Sequence, residues 1–125
     1  MTVVLVHGNP ETDAIWDPLV QVLGRDDVIR LSPPGFGAPL PDGWPATYLD
    51  YRDWLEGELT RFDAPVDLVG HDWGGGHVLN AVMHRPELVR SWSATLSGCS
   101  TRTTSGTIWL RCGRHPGTGK PWSTP

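Results

Sequence analysis

Long apolar runs are absent from the sequence. No stretch approaches the ~18 consecutive apolar residues that a membrane-spanning helix needs. The opening residues, MTVVLVHG, contain no basic segment and no small-residue cleavage site, so they do not have the pattern of a secretory signal peptide. We therefore expect a cytoplasmic protein that does not associate with a membrane.

Cysteine is scarce as well. The 125 residues include only two cysteines, Cys99 and Cys112, and five histidines. Two cysteines cannot build a disulfide framework, and the histidines do not cluster at the spacing of metal ligands. The sequence therefore predicts no metal site, and no pattern in it implies a cofactor. The net charge of −4 disfavours nucleic acid as a partner.

Acidic residues are missing from the last part of the chain. Residues 1–97 hold all 14 acids and six arginines, for a net charge of −8, whereas residues 98–125 hold three arginines, one lysine and no acid, for +4. The second segment is also rich in Thr, Ser and Gly and has no hydrophobic periodicity. We divide the chain into a folded part, 1–97, and an aperiodic tail, 98–125. The tail is either disordered or translated in a shifted reading frame.

Apolar strand-like and helix-like segments alternate over the first 97 residues. The run TVVLVHG is continuously apolar up to its last two residues, which is typical of a strand buried on both faces of a parallel sheet. Alternation of strands with helices predicts an α/β fold with a doubly wound, mostly parallel sheet. The predicted strands are 2–8, 28–31, 66–70 and 88–96, and the predicted helices are 17–24, 47–62 and 75–84.

The apolar residues of the last two helices recur at helical spacing and so predict their buried faces. We interpret Tyr48 and Tyr51 as packing residues for this reason. The complete stripes are Tyr48, Tyr51, Leu55, Leu59 and Phe62 in one helix, and Val78, Leu79, Val82 and Met83 in the other.

The stretch LVGHDWGGG, residues 68–76, places a carboxylate among glycines directly after a predicted strand. Gly70-His71-Asp72-Trp73-Gly74 fits the G-x-nucleophile-x-G pattern of a nucleophile elbow, with Asp in place of Ser. A strand that turns directly into a helix holds the nucleophile at positive φ, and a Cβ on the flanking residues would collide with its surroundings. The alternative is that Asp72 only caps the following helix.

A second motif, His7-Gly8-Asn9-Pro10, follows the first predicted strand. Alone it is an ordinary turn, but two such motifs at the carboxyl ends of two strands are far more specific. Together with PGFG, residues 34–37, they make residues 2 to about 96 resemble the N-terminal core of the α/β-hydrolase superfamily. The resemblance implies that the first strand lies between the second and the third, where the strand order reverses and ligands bind.

Within that superfamily, an Asp nucleophile resembles the haloalkane dehalogenases and the epoxide hydrolases. The resemblance implies that Asp72 attacks an sp³ carbon of a small organic substrate and forms an alkyl ester, which water then hydrolyses. By resemblance to the dehalogenases, Asn9 and Trp73 donate side-chain N–H groups to the departing halide. Gly8, Gly70 and Gly74 support the loop and the elbow. Epoxide hydrolysis is the alternative activity, and a non-catalytic binding protein or truncated product is the alternative class.

The base and the acid of the triad have no candidate in the sequence. In this family both follow the nucleophile, and a distant histidine activates water. After Asp72 the only acid is Glu87, at a helix-to-strand turn, and the last histidine, His115, lies in the aperiodic tail. We therefore expect a partial fold without the cap domain and the C-terminal strands, and a chain that is inactive as given.

The remaining histidines are predicted to have structural roles. His71 precedes the nucleophile, and adjacent side chains of the elbow point apart. His77 and His84 lie on the following helix, where a core or surface role is expected. His7 is predicted to organise the turn after the first strand by hydrogen bonding to backbone groups.

Overall fold

The computed structural model describes the backbone of residues 1–101 and 104–112 and the side chains of residues 1–96. All the predicted strands and helices are present, although α3 begins two residues earlier than predicted. The elements are β1 (Val3–Val6), a 3₁₀ helix (Asp13–Trp16), α1 (Asp17–Leu23), β2 (Val28–Leu31), α2 (Tyr48–Leu59), β3 (Val66–His71), α3 (Trp73–His84), a second 3₁₀ helix (Pro86–Leu88), β4 (Val89–Thr101) and β5 (Thr104–Cys112).

The five strands form one sheet in the order β2-β1-β3-β4-β5. The first four strands run parallel, and β5 is antiparallel to β4. The predicted α/β fold is therefore confirmed, including the position of the first strand between the second and the third. Val6 at the end of β1 pairs with Gly70 near the end of β3. The two motifs consequently leave the sheet side by side.

Residues 98–101 and 104–112 differ from the predicted disorder. β4 continues to Thr101, and Thr104–Cys112 forms β5, with Trp92 opposite Cys112. An antiparallel ladder depends on backbone hydrogen bonds, and threonine is favoured in strands, so no helical or alternating apolar pattern is required. Residues 102, 103 and 113–125, including His115, lie outside the described residues. The division at residue 97 and the shifted reading frame remain predictions.

The core lies on both faces of the sheet. Successive side chains of β1 point to opposite faces, as in any strand. Val4 and Val6 pack with residues of α2, α3, β3 and β4, whereas Val3 and Leu5 pack with Trp16 on the other face. The continuous apolar run of β1 is thus explained by burial on both sides, as the sequence predicts.

Two predicted core residues are exposed. Met83 is 82% exposed, because the buried face of α3 is formed by His77, Val78 and Ala81 and the helical period turns Met83 away from it. Tyr48 is 64% exposed, because it is the first residue of α2 and helical side chains lean toward the N-terminus, past the helix end. Tyr51 is buried, as predicted.

The start of α3 packs against the sheet at a distance that excludes side chains. A Cβ on Gly74 would collide with the carbonyl oxygens of Val6 and His7, and a Cβ on Gly70 would lie 2.5 Å from the Gly74 oxygen. Gly76, two residues further along α3, has nothing within 4 Å of the same position. The glycine at position 74 is therefore required by close backbone approach, whereas the one at position 76 is not.

We expect Gly74→Ala and Gly76→Ala to change stability in opposite directions. Gly74→Ala should lower the free energy of unfolding by about 1–3 kcal/mol, because its methyl group overlaps backbone atoms of β1. Gly76→Ala should raise it by up to about 1 kcal/mol, because alanine favours the helix. Urea unfolding followed by tryptophan fluorescence measures both changes. Equal shifts of the same sign would contradict the packing described above.

His77 of α3 is buried beneath α2. Its ring stacks on Tyr51 with the ring centres 4.7 Å apart, and the Tyr51 hydroxyl donates a hydrogen bond to the Pro34 carbonyl at 3.0 Å. Burial lowers the pKa of His77 to about 4. The predicted core role of His77 is thus confirmed, and the histidine is neutral at physiological pH.

This depressed pKa predicts a loss of stability in acid. In the unfolded chain the pKa of His77 is the ordinary histidine value of about 6.5, so between about pH 6.5 and 4 the unfolded chain binds a proton at His77 and the folded chain does not. The free energy of unfolding therefore falls as the pH decreases through this range. We expect His77 to account for up to about 3 kcal/mol of that fall. Urea unfolding at several pH values should give a shallower dependence for His77→Phe. A His77→Phe curve of unchanged steepness would contradict this assignment.

Candidate active site

Asp72 connects β3 to α3 in a backbone conformation that few residues adopt. Its φ is 55° and its ψ is −123°. Such a conformation costs a non-glycine residue on the order of 1–3 kcal/mol and is concentrated at functional sites. The Asp72 N–H donates to the Thr95 carbonyl at 2.7 Å, and the Asp72 carbonyl accepts from the N–H of Gly75 at 2.9 Å. The positive φ predicted for the elbow is therefore confirmed, and hydrogen bonds on both sides hold it.

The Asp72 side chain does not cap α3. Asp72 occupies the N-cap position, but its carboxylate accepts no hydrogen bond from the backbone of the helix. It lies instead against Gly8: a Cβ built on Gly8 would be 2.7 Å from Asp72 Oδ2. The alternative of a simple helix cap is thus not supported by the geometry. The fold brings the carboxylate and the loop after β1 together, and it leaves no room for a side chain at position 8.

Asn9 follows Gly8 in the same loop and is half-buried. Its Oδ1 atom is inaccessible to solvent and has no hydrogen-bond partner in the described part of the chain. A buried polar atom without a partner costs about 1–3 kcal/mol, and the two ends of an amide can exchange by rotation. The Asn9 amide is therefore a polar group with unused hydrogen-bonding capacity next to Gly8.

Trp73 is the first residue of α3, directly after Asp72. Its backbone N–H is one of those at a helix N-terminus that have no partner within the helix, and the helix dipole makes this end electropositive. The side chain is 60% exposed. Trp73 thus presents a backbone donor at the elbow, while its indole ring is not part of the core.

His7 organises the loop after β1, as predicted. It is completely buried, with Nδ1 2.8 Å from the Gly8 carbonyl and Nε2 3.0 Å from Ser32 Oγ. Nδ1–H donates to the carbonyl, and the Ser32 hydroxyl donates to Nε2 in the neutral ring. A Cβ on Gly37 would lie 3.2 Å from Ser32 Oγ, so the PGFG turn packs on the same group. His7 therefore connects two loops at the carboxyl edge of the sheet.

His71 has no ring nitrogen free to act as a base. Nδ1 lies 2.7 Å from Thr95 Oγ1 and Nε2 lies 3.2 Å from Glu11 Oε1. The second carboxylate oxygen of Glu11 accepts the Gly8 N–H at 3.1 Å. The structural role predicted for His71 is confirmed. The role of Glu11 was not predicted from the sequence, where its only signal is its position three residues after Gly8.

The other candidates after Asp72 lie at the far end of α3. This helix has 12 residues, so its C-terminus is about 18 Å from the elbow. His84 there lies 2.9 Å from Glu56 Oε1 of α2. Glu87 pairs with Arg85, which lowers the pKa of the Glu87 carboxyl below its ordinary value. Neither His84 nor Glu87 can therefore serve Asp72 as base or acid.

Neither a metal cluster nor a membrane-spanning helix is found among the described residues. No group of three or more His, Cys, Asp or Glu in this part of the chain is arranged to hold a metal ion. No helix among residues 1–96 is long and apolar enough to cross a membrane.

The chain is similar in sequence to parts of two known proteins. A probable oxidoreductase, EphD, of Mycobacterium tuberculosis is 37% identical over 79 residues, which are 58% of this chain and 13% of that protein. The (E)-2-((N-methylformamido)methylene)succinate hydrolase of Acinetobacter baylyi is 32% identical over 102 residues, 80% of this chain and 38% of that protein. The chain thus spans well under half the length of either relative.

The fold agrees with a solved structure, that of naproxen esterase from Bacillus subtilis. It superposes with a TM-score of 0.65 at 23% sequence identity, covering 73% of this chain and 33% of the esterase. A family model described as the alpha/beta hydrolase family matches residues 3–123, nearly the whole chain. The sheet order, the glycine elbow and this match together establish that the chain belongs to the alpha/beta hydrolase family.

Proposed function

We propose that this chain carries the nucleophilic part of a hydrolase that acts at an sp³ carbon in the manner of a haloalkane dehalogenase. Asp72 is the proposed nucleophile. The observation that supports this proposal is the carboxylate at φ 55°, which occupies the N-cap position, caps nothing and lies against Gly8. A residue held in a costly conformation without a structural use for its side chain is best explained by a role in chemistry.

The proposed first step is a substitution. An Asp72 carboxylate oxygen attacks the carbon of a haloalkane, a carbon–oxygen bond forms, and the carbon–halogen bond breaks as the halide leaves with the electron pair. The product is an alkyl ester of Asp72. A carboxylate that attacked an ester carbonyl would instead form an anhydride, which is less stable than the substrate. The acid side chain therefore favours sp³ substrates over carboxylic esters.

The departing halide needs hydrogen-bond donors, because its charge develops as the bond breaks. The Asn9 atom without a partner is Oδ1, an acceptor, so the amide rotates to present its N–H groups to a halide, and Trp73 adjoins the nucleophile. We propose that these two side chains bind the halide. The likeness to naproxen esterase, at 23% identity, concerns the fold and does not bear on this choice of substrate.

Epoxide hydrolysis is the alternative reaction. That reaction needs an acid, in related enzymes a tyrosine hydroxyl, for the ring oxygen. The Tyr51 hydroxyl is buried and donates to the Pro34 carbonyl. Tyr48, on the first turn of α2, is exposed. In the related enzymes these tyrosines belong to the cap domain, so Tyr48 and Tyr51 of the core do not decide between the two reactions, and epoxide hydrolysis stays the alternative.

Hydrolysis of the ester requires a base that activates water. In the described part of the chain, His71 has both nitrogens engaged, and His84 lies at the opposite end of α3. We therefore propose that this chain forms the ester without turning it over.

The most direct prediction concerns the mass of the chain after incubation with hexyl bromide. One hexyl group should be added to the peptide that contains Asp72, with release of one bromide, and it should persist. Asp72→Asn should abolish the addition and leave the fold intact, because asparagine, like aspartate, tolerates positive φ and the Asp72 side chain makes no capping bond to α3. Mass spectrometry of the digested chain locates the group, and circular dichroism checks the fold.

Two controls separate this ester from adventitious alkylation. Asp53→Asn, at an exposed acid of α2, should leave the addition unchanged. Hydroxylamine removes an ester but not a thioether, so it distinguishes Asp72 from alkylated Cys99 or Cys112. A hexyl group on another residue, or none on Asp72 in a folded chain, would remove Asp72 from the proposed role.

The halide-binding role predicts a dependence on the leaving group. Asn9→Ala and Trp73→Phe should each slow alkylation by hexyl bromide by about 10²-fold, in the range measured for single charge-stabilising donors. Asn80→Ala, at the only other asparagine, should have no effect. If Asn9→Ala and Trp73→Phe slow the alkylation of Asp72 by hexene oxide as much as its alkylation by hexyl bromide, the two side chains do not bind the departing halide.

A further inference from the structure

We propose that Glu11 and His71 form a positioning pair that holds the loop after β1 at a fixed distance from Asp72. This inference rests on the proposed function, because it assigns the pair a role in the reaction of Asp72. Glu11 lies on the loop, and His71 lies at the end of β3, so the pair joins the two motifs that form the candidate site.

The carboxylate of Glu11 uses both oxygens. Oε2 accepts the Gly8 N–H at 3.1 Å, and Oε1 lies 3.2 Å from His71 Nε2. The Gly8 carbonyl accepts in turn from His7 Nδ1 at 2.8 Å. Both polar backbone groups of Gly8 are thus bound by side chains. Because the peptide group is planar, this fixes the Asn9 N–H to point away from His7.

His71 is itself anchored. Its Nδ1 lies 2.7 Å from Thr95 Oγ1 of β4, and its ring meets Trp16 edge to face with the ring centres 6.4 Å apart. The backbone carbonyl of Thr95 also accepts the Asp72 N–H at 2.7 Å. Thr95 therefore supports both the nucleophile and, through His71 and Glu11, the loop that faces it.

The Glu11–His71 pair controls the close contact between Gly8 and the Asp72 carboxylate. Asp72 Oδ2 would be 2.7 Å from a Cβ on Gly8, so a shift of the loop changes the surroundings of the carboxylate directly. Misplacement of reacting groups by about 1 Å can reduce a rate about 10²-fold. In the proposed role, Glu11 and His71 contact neither the substrate nor the reacting atoms, and they act only by fixing the position of the loop.

The surroundings of the two ring nitrogens predict the tautomer of a neutral His71. The Glu11 carboxylate can only accept, so we expect the proton on Nε2, 3.2 Å from Glu11 Oε1, and Nδ1 accepts from the Thr95 hydroxyl. Glutamine at position 11 can still accept the Gly8 N–H with its carbonyl, while its NH₂ group donates to Nε2. Glu11→Gln should therefore preserve the connection and move the His71 proton to Nδ1. Glu11→Ala removes the connection entirely.

The kinetic test measures the rate at which hexyl bromide alkylates Asp72, over a range of hexyl bromide concentrations. Glu11→Ala should lower the maximal rate about ten- to a hundredfold, without a comparable change in the concentration for half-maximal rate. Glu11→Gln should retain most of the rate. Glu58→Ala, at a glutamate paired with Arg61 on the surface of α2, should match the original chain. A Glu11→Gln variant as slow as Glu11→Ala would overturn the positioning role.

A second readout does not depend on the reaction. Nitrogen-15 NMR of the neutral His71 ring, recorded at a pH above which its spectrum no longer changes, should report Nε2–H in the original chain and Nδ1–H in Glu11→Gln. The Gly8 amide proton should shift upfield in Glu11→Ala. If the original chain fails to react, the proposed function is wrong, but the NMR comparison still tests the pair. An unchanged His71 tautomer in Glu11→Gln would refute it.

Discussion

The close approach of α3 to the carboxyl ends of β1 and β3 is the constraint on which the site depends. Gly74 lies so near the carbonyl groups of Val6 and His7 that no side chain fits between them. A helix that begins this close to the sheet forces the residue before it into a tight turn, and that residue is Asp72, with φ 55°. The position of the carboxylate is thus a consequence of backbone packing.

The same packing explains why the loop after β1 is part of the site. Val6 and Gly70 are neighbours in the sheet, so the two strands end together and their loops meet. Gly8 then faces Asp72, and side chains from both motifs, His7, Glu11 and His71, hold the contact. Their polar atoms contact the backbone of Gly8, the hydroxyl groups of Ser32 and Thr95, or one another, which leaves the Asp72 carboxylate as the group available for chemistry.

Much of this arrangement could be predicted from the sequence because it is encoded locally. The glycines flanking Asp72, the apolar run of β1 and the resemblance of the two motifs indicated the elbow, the sheet order and the pairing of the loops. Contacts between distant residues could not be predicted: Glu11 meets His71 sixty positions later, and nothing near Glu11 indicates it. The strand β5 also lacks a local signal, because backbone pairing with β4 defines it. The exposure of Met83 depends on the rotation of α3 about its axis relative to the sheet.

The central claim is that Asp72 is a nucleophile and that its glycines serve to present it. A crystal structure of the chain after reaction with hexyl bromide tests this claim most directly. The account predicts continuous electron density from one Asp72 carboxylate oxygen into an alkyl chain, with the backbone of Asp72 still at positive φ and Gly8 against the ester. A free Asp72 carboxylate that accepts hydrogen bonds from the N–H groups of α3, with the alkyl group on another residue, would contradict it.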